Sequence, residues 1–145
     1  MIRKFKDDDA EECSKIMLNC IGKNLISLNK KNRDFMIKCS LPESLIKKSK
    51  EVFLFVYEKD GKIFGTGAFD KGEIRTMFVN PLLQKKGIGK KMLNFLIDFA
   101  KSKNYKKVFL KSSLEAEKFY GKQRFKKTGE NNDFNFRTIE MEKEI

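Results

Sequence analysis

Apolar residues in the first third of the chain occur at strand-like and then at helix-like spacing. Ile2 to Phe5 predicts a short strand, and Asp7-Asp8-Asp9 then provides the hydrogen-bond acceptors and the negative charge that favour the start of a helix. Apolar residues recur every three or four positions from Ala10, which predicts a helix that ends near Asn19 or Gly22. A polar stretch interrupts the pattern between Asn24 and Cys39, so we expect a loop there and then a short helix.

The middle of the chain has the pattern of a short helix followed by an antiparallel meander. Ser40-Leu41-Pro42-Glu43 has the form of a capping box, which predicts a helix from Pro42 to about Ser49. Two turn signals, Asp60-Gly61 and Asp70-Lys71-Gly72, separate runs that are rich in apolar and aromatic residues. The three strands are expected over Glu51–Glu58, Ile63–Phe69 and Glu73–Val79.

The longest helical pattern begins at Ile88, where apolar residues keep to one face and lysines largely to the other. Lys107 to Lys111 predicts a strand after this helix. A strand, a helix and a second strand in this order imply a parallel crossover connection.

The last third of the chain predicts one more helix and two strands. We expect Ser112-Ser113 to cap a helix from Leu114 to about Lys122, with Glu115 in a capping-box relation to Ser112. The stretch from Gly129 to Asp133 is rich in turn-forming residues. The strands on its two sides are expected over Arg124–Thr128 and Phe134–Glu142.

One stretch, Gln84-Lys85-Lys86-Gly87-Ile88-Gly89-Lys90-Lys91, predicts a phosphate cradle between the meander and the long helix. Two glycines with one residue between them let the backbone approach a bulky anion, and the helix adds unpaired amides and the positive end of its dipole. The stretch is not a Walker loop, because Gln84 would hold the first glycine position and Lys91 the hydroxyl position. It is not a dinucleotide fingerprint either, because Met92 stands at the third glycine.

The chain contains no histidine, which excludes Ser-His-Asp and Cys-His catalysis, histidine metal ligands and a histidine base. Acid–base chemistry must therefore come from carboxylates, Tyr, Lys or Cys. The three cysteines, Cys13, Cys20 and Cys39, lack metal-type spacing, and we expect them to be buried free thiols in a reducing compartment. We expect no metal cofactor.

The length of 145 residues fits one domain with one core. No run approaches the roughly 18 apolar residues of a membrane span, and the first residues lack an apolar signal segment, so we expect a cytoplasmic protein that does not contact membranes. The net charge is +12, but the lysines are spread among acids rather than gathered in one block. This distribution favours a solvated surface over a nucleic-acid site.

Gln84, Gly87 and Gly89 resemble the Gln/Arg-x-x-Gly-x-Gly/Ala signature of the GNAT superfamily of acetyl-CoA-dependent N-acyltransferases. Phe78-Val79-Asn80-Pro81 precedes the signature as the end of a strand, and Glu115-Ala116-Glu117-Lys118-Phe119-Tyr120 is similar to the Ala-x-x-Phe-Tyr helix of the family. The resemblance covers nearly the whole chain. It implies an α/β (α+β) GNAT fold in a single domain over residues 1–145: a mixed, mostly antiparallel sheet of six or seven strands, about four helices, and a splayed parallel strand pair at the centre.

The resemblance also implies how acetyl-CoA, the co-substrate, is held. In the family its pantetheine arm enters the gap of the splayed pair and binds strand backbone as another strand would. Its pyrophosphate would rest on the amides of the cradle, where the lysine side chains either assist or are merely solvated. The expected binding residues are Met77, Phe78, Val79, Gln84, Lys85, Lys86, Gly87, Ile88, Gly89, Lys90 and, where the family often has asparagine, Ser112.

Two residues are candidates for catalysis by the same resemblance. Tyr120 matches the tyrosine of the Phe-Tyr pair and would donate a proton to the departing thiolate, unless it simply packs on the buried face of its helix. Glu73 lies eleven residues before Gln84, the spacing of the base in the histone-acetylating branch of the family, unless it is a solvated strand end. The chain departs from the family at Arg124-Phe125, where Gly-Phe is usual.

The resulting hypothesis is an N-acetyltransferase that moves the acetyl group of acetyl-CoA to a primary amine by direct transfer in a ternary complex. The amine acceptor, a small molecule or a peptide, is not identified by the sequence, and a homodimer would be common for the family. Two alternatives remain open. One is a non-catalytic acyl-CoA-binding or regulatory module, and the other is a basic nucleic-acid-binding protein.

Overall fold

A seven-stranded mixed sheet organises the computed structural model, which describes residues 1–132 and 137–145. The strands follow the order β1-β2-β3-β4-β5-β7-β6 across the sheet, and every neighbouring pair is antiparallel except β4 and β5, which are parallel. Their bounds are β1 (Ile2–Lys4), β2 (Phe53–Lys59), β3 (Lys62–Asp70), β4 (Glu73–Val79), β5 (Lys107–Ser112), β6 (Lys126–Asn131) and β7 (Thr138–Glu144). The predicted meander and the parallel crossover are therefore confirmed.

Five α-helices flank this sheet in the part of the chain that the structure describes, one more than the approximate number expected. Two short 3-10 turns, Asp7–Asp9 and Pro81–Leu83, precede α1 and the glycine loop. The helices are α1 (Ala10–Lys23), α2 (Lys30–Cys39), α3 (Pro42–Glu51), α4 (Ile88–Ser102) and α5 (Glu117–Lys122).

The two faces of the sheet carry separate apolar cores. On one face, α4 contributes the fully buried Met92, Leu93 and Leu96 to a core that also includes residues of β3, β4, β5 and β7. On the other face, α1 and α3 pack over β2 and β3. The buried members of this second core are Cys13, Ile16, Met17, Cys20, Leu45, Val56 and Ile63. The expectation of buried thiols holds for Cys13 and Cys20, whereas Cys39 is half-buried.

The two tight turns of the meander have the geometry that their sequences predict. Asp60 and Gly61 have φ angles of 52° and 76°, and Lys71 and Gly72 have φ angles of 48° and 93°. Left-handed conformations at both central residues are those of the two-residue turns that match the twist of antiparallel strands. The turn signals therefore set the register next to each turn, and an irregularity further along each ladder then shifts it.

Both predicted capping boxes are wrong. Ser40 does not cap α3, because its hydroxyl donates to the Met36 carbonyl at 2.7 Å and thus closes the end of α2, while Leu41 holds the cap position without a side-chain bond. Ser112 belongs to β5, and α5 begins at Glu117 rather than Leu114. A short polar side chain has several backbone partners within reach, and the spacing alone does not decide among them.

The C-terminal strands differ from the expected bounds, and β6 begins at Lys126 rather than at Arg124. Gly129 to Asn131, predicted as a turn, continue β6, whose pairing with β7 shifts between Lys127 and Gly129. The expected start of the last strand at Phe134 lies outside the described residues, and β7 is seen from Thr138. An irregular ladder of this kind lets a strand include glycine and asparagine, which the composition of the segment did not favour.

Candidate functional site

The parallel strands β4 and β5 separate soon after they meet. Their ladder has one register pair, Glu73 with Phe109, and the Phe109 amide donates to the Gly72 carbonyl at 3.0 Å. By contrast, β5 pairs with β7 along its whole length, from Lys107 to Ser112. A gap therefore opens between β4 and β5 towards Val79, which is also the end where the glycine loop leaves the sheet.

A bulge in β4 lies beside this gap. Ala68 is in register with Arg75 and Thr66 with Phe78, so two residues of β4, Thr76 and Met77, face the single residue Gly67 on β3. Thr76 has a φ of 55°, a left-handed conformation that costs a β-branched residue on the order of 1–3 kcal/mol. The Thr66 hydroxyl holds it there by donating to the Thr76 carbonyl at 2.7 Å. No sequence signal indicated this bulge.

The glycine loop presents free backbone amides next to the gap. Lys85 and Gly87 both have left-handed φ angles, of 68° and 82°, and Gly87 is the cap residue of α4. The first bond of the helix runs from the Lys91 amide to the Gly87 carbonyl at 3.0 Å, so the amides of residues 88–90 have no partner within the helix. A Cβ atom at Gly87 would meet nothing within 4 Å. This geometry is that of an anion-binding nest at a helix start.

The lysine side chains next to these amides extend into solvent rather than pack against the protein. Lys85, Lys86 and Lys90 are exposed. Ile88, between the two glycines, turns inward and is 8% exposed, which anchors the first turn of α4. The loop therefore combines free backbone amides with exposed positive charge, a combination suited to a polyanion.

Gln84 has a structural partner on each side of its amide group. Its Nε2 donates to the Val79 carbonyl at 3.1 Å, and its Oε1 accepts from Asn24 Nδ2 at 3.1 Å. The Cys20 thiol also donates to the Val79 carbonyl, at 3.1 Å. The side chain of Gln84 thus fastens the loop to β4 and to the end of α1, and of the Val79 backbone only the amide is left for a ligand.

Gly89 connects the loop to α5. A Cβ atom at this position would lie 3.4 Å from the Phe119 ring and 3.7 Å from Val79 Cγ2. The close approach brings α5, and with it Tyr120, to the same end of the gap as the cradle. A bulky residue at Gly89 would press on Phe119, whereas the space at Gly87 is open, so Gly87 is the better position for a probe of the cradle.

Tyr120 is buried among aromatic rings. Its exposed fraction is 7%, and its ring lies 5.1 Å from that of Phe119 and 5.8 Å from that of Phe125. No described residue forms a hydrogen bond with its hydroxyl. Burial raises the pKa of Tyr120 well above its usual value, because the phenolate would be poorly solvated.

Glu73 and Ser112 lie at opposite ends of the gap. Glu73 sits at the closed end, where its Oε1 accepts from Arg75 Nε at 3.1 Å. Four residues of strand, about 13 Å, separate it from Met77. Ser112 is at the open end but is 1% exposed, and its hydroxyl donates to the Ser113 carbonyl at 2.7 Å. Neither side chain points freely into open space.

The structure thus brings the bulge, the glycine loop and Tyr120 together at the open end of the gap, and it leaves Glu73 apart from them. Sequence reasoning missed Thr76, Lys48 and Asn24. Lys48 donates to Thr76 Oγ1 at 3.3 Å, and its place three residues after the buried Leu45 of α3 was a signal that could have revealed it. The other two gave no comparable signal.

The acetyltransferase (GNAT) domain family model matches residues 21–145 of the chain. No curated protein sequence matches the chain significantly. In the described part of the chain, no helix has the length and apolar character needed to cross a membrane.

Solved structures with the same fold cover the chain end to end at low identity. A GCN5-related N-acetyltransferase from Rhodopseudomonas palustris matches with a TM-score of 0.90 and 14% identity, covering 100% of this chain and 95% of its own. PaiA N-acetyltransferase from Thermoplasma acidophilum, in complex with coenzyme A, matches with 0.83 and 17%, covering 100% and 98%. An N-acetyltransferase from Staphylococcus aureus has a TM-score of 0.69 and 24% identity, covering 99% and 97%.

Proposed function

We propose, from the premise that this chain belongs to the GNAT acetyltransferase family, that it transfers the acetyl group of acetyl-CoA directly to a primary amine. The observation that carries the proposal is the coincidence of three features at one end of the sheet: the gap between β4 and β5, the bulge at Thr76, and the left-handed Gly87 before the free amides of α4. An extended arm fits the gap, and a pyrophosphate fits the amides.

The residues present fit this co-substrate. The amides of residues 88–90 and the exposed lysines at positions 85, 86 and 90 would hold the pyrophosphate. The backbone of Met77 and the Val79 amide would bind the arm, whereas Phe78 lies in register with Thr66 of β3. Ser112, which is buried with its hydroxyl bonded to the Ser113 carbonyl, would contribute by holding the end of β5 at the open end of the gap. Bound acetyl-CoA supplies the activated thioester, and a strand amide next to Phe78 would stabilise negative charge on its carbonyl oxygen.

The attacking amine must lose a proton. An alkylammonium with a pKa near 10.4 is deprotonated in only about one part in a few thousand at pH 7, a deficit of roughly 4–5 kcal/mol. Glu73 is the proposed acceptor, acting through water because of its distance from Met77. Its free Oε2 is the atom for this task, since Oε1 is bound to Arg75.

Tyr120 is proposed to stabilise the departing sulfur. Because burial raises its pKa, the hydroxyl keeps its proton and acts as a hydrogen-bond donor. A free thiol has a pKa near 8.5, about that expected of the leaving group, so complete transfer from Tyr120 would be uphill. The proton that the sulfur finally holds would therefore derive from the amine.

A thermal-unfolding titration with acetyl-CoA tests the cradle, with free CoA and ATP as controls. A ligand at about 100 times its Kd stabilises a protein by roughly 2.7 kcal/mol, which corresponds to a rise of several degrees in Tm. We expect the rise with both CoA species and not with ATP. No rise with either CoA species would refute the proposal.

A matched pair at Gly87 locates the binding. Asp and Asn have nearly the same shape, and both tolerate left-handed φ angles, but only Asp adds negative charge. Gly87→Asn should keep most of the shift and Gly87→Asp should abolish it. Equal shifts in the two variants would show that the pyrophosphate lies elsewhere. Thiol release with an amine then distinguishes an enzyme from a protein that only binds acyl-CoA.

A further inference from the structure

Lys48 differs from the other lysines of α3 in where its side chain lies. It follows Leu45 by three positions and so shares the inward face of the helix, where Leu45 is 1% exposed. Lys47 and Lys50 are exposed, whereas Lys48 is half-buried. Its ammonium reaches the sheet and donates a hydrogen bond to Thr76 Oγ1 at 3.3 Å. A cation thus sits against the bulge of β4.

The charge of Lys48 is not balanced by any described residue. Burial, and then the nearby charge of Arg75, lower the pKa of Lys48. No carboxylate in residues 1–132 and 137–145 forms an ion pair with it. Arg75, in contrast, is paired with Asp70 at 3.3 Å and Glu73 at 3.1 Å. A partly desolvated cation with only a hydroxyl for a partner gains most from an anion that binds there.

The place of this cation relates it to the amine acceptor rather than to the pyrophosphate. Thr76 directly precedes Met77, whose backbone is proposed to bind the arm and which is one of the two residues next to Phe78 whose amide could face the thioester carbonyl, and consecutive Cα atoms are about 3.8 Å apart. Val79, where the glycine loop begins, lies three residues further, about 10 Å along the strand. Lys48 also belongs to α3, which lies on the opposite face of the sheet from α4.

We propose, on the basis of the proposed function, that Lys48 determines specificity by binding the carboxylate of the acceptor, and that this acceptor is a small amino acid. One ammonium matches the single charge of a carboxylate, while a phosphate dianion would need more donors. Because Thr76 adjoins Met77, an acceptor with only a few bonds between its amine and its carboxylate fits between Lys48 and the proposed acetyl site. Diamines are disfavoured, because their second ammonium would meet Lys48.

Matched acceptors test the inference on the wild-type protein. Thiol release from acetyl-CoA is measured with several free amino acids, with the amide of each, and with 1,4-diaminobutane. We expect kcat/KM for at least one free acid to exceed that of its amide by about 10-fold or more, mainly through a lower KM. Amides or the diamine used as well as every acid would overturn this inference and leave the acetyltransferase proposal intact. No thiol release with any amine would refute the proposed function and this inference with it.

Variants at position 48 assign the preference to the charge. Lys48→Gln keeps a donor for Thr76 but removes the charge, and it should bring the ratio of acid to amide close to one, with little change for the amide itself. Lys48→Arg should restore most of the ratio, and Lys47→Gln, on the exposed face, should not alter it. The acetyl-CoA shift in Tm verifies that each variant is folded. A preference for acids that survives Lys48→Gln would overturn the assignment.

Discussion

Replacing Tyr120 with Phe separates a chemical role from a packing role. The substitution keeps the ring, and therefore the contacts with Phe119 and Phe125, and removes only the hydroxyl. If Tyr120 only packs, the substitution should leave kcat unchanged. If its hydroxyl donates a hydrogen bond to the departing sulfur, the substitution removes that bond and kcat should fall.

The substitution should affect the rate much more than the stability. No described residue bonds the Tyr120 hydroxyl, but its oxygen is not fully buried and can be solvated. Removing it should therefore change the free energy of unfolding by less than about 0.5 kcal/mol, or Tm by about 2 °C or less. A hydrogen bond to a charged group is worth about 1.5–3 kcal/mol, so kcat should fall roughly 10- to 150-fold.

The assay pairs thermal unfolding of the free protein with thiol release at saturating acetyl-CoA. Tyr105→Phe is the control, because Tyr105 packs on Phe69 at 5.2 Å near the closed end of the gap and should leave kcat unchanged. An unchanged kcat in Tyr120→Phe would remove this residue from the mechanism. A loss of more than about 1 kcal/mol of stability would show that the hydroxyl is bonded in the folded protein.

Three further outcomes are expected. Glu73→Gln should lower kcat/KM at neutral pH without altering the acetyl-CoA shift in Tm, and an unaltered kcat/KM would eliminate this base. Burial alone would raise the pKa of Asp9, but hydrogen bonds from Arg3 and the Lys6 amide outweigh burial and lower it. A lowered pKa stabilises the fold above the pKa of the unfolded chain, so Asp9→Asn should cost about 1–2 kcal/mol at pH 7, and this difference should shrink below about pH 4 in denaturant titrations. Gly67→Ala should lower the free energy of unfolding by about 1–3 kcal/mol, because the added Cβ would lie 2.8 Å from a side-chain carbon of α4. Gly22→Ala should raise it by up to about 1 kcal/mol in the same denaturant titrations, because Gly22 lies in α1 with open space around it.

The parts of the fold that local chemistry controls could be predicted from the sequence. The start of α4 at Ile88 follows from the glycine before it and the apolar face after it, and Asp60-Gly61 and Lys71-Gly72 set the meander. The glycine loop was found for the same reason. Capping was mispredicted because Ser40 and Ser112 had alternative partners nearby.

The remaining features of the site depend on tertiary contacts. Thr76 has a φ of 55°, a conformation that threonine disfavours. Hydrogen bonds from Thr66 and Lys48 hold it in this conformation from two sides. Thr66 lies ten residues before Thr76 on the neighbouring strand, and Lys48 lies 28 residues before it on α3, so the local sequence around Thr76 contains neither partner. The roles of Gln84 and Val79 likewise depend on Cys20 and Asn24 of the α1 region, which no local pattern relates to the loop.

The single register pair between β4 and β5 has a consequence for how the protein opens. The sheet consists of two hydrogen-bonded units. Ladders join the four strands β1, β2, β3 and β4 into one unit, and ladders join β5, β7 and β6 into the other. The core under α4 includes residues of both units, but the backbone joins them by only this one register pair, so we expect each unit also to open locally and to exchange its amide hydrogens separately. A ligand that lies in the gap and bonds to both strands supplies the missing ladder, and the two units then open together. A ligand in the gap should therefore slow hydrogen exchange at amides in both units, including amides that do not contact the ligand.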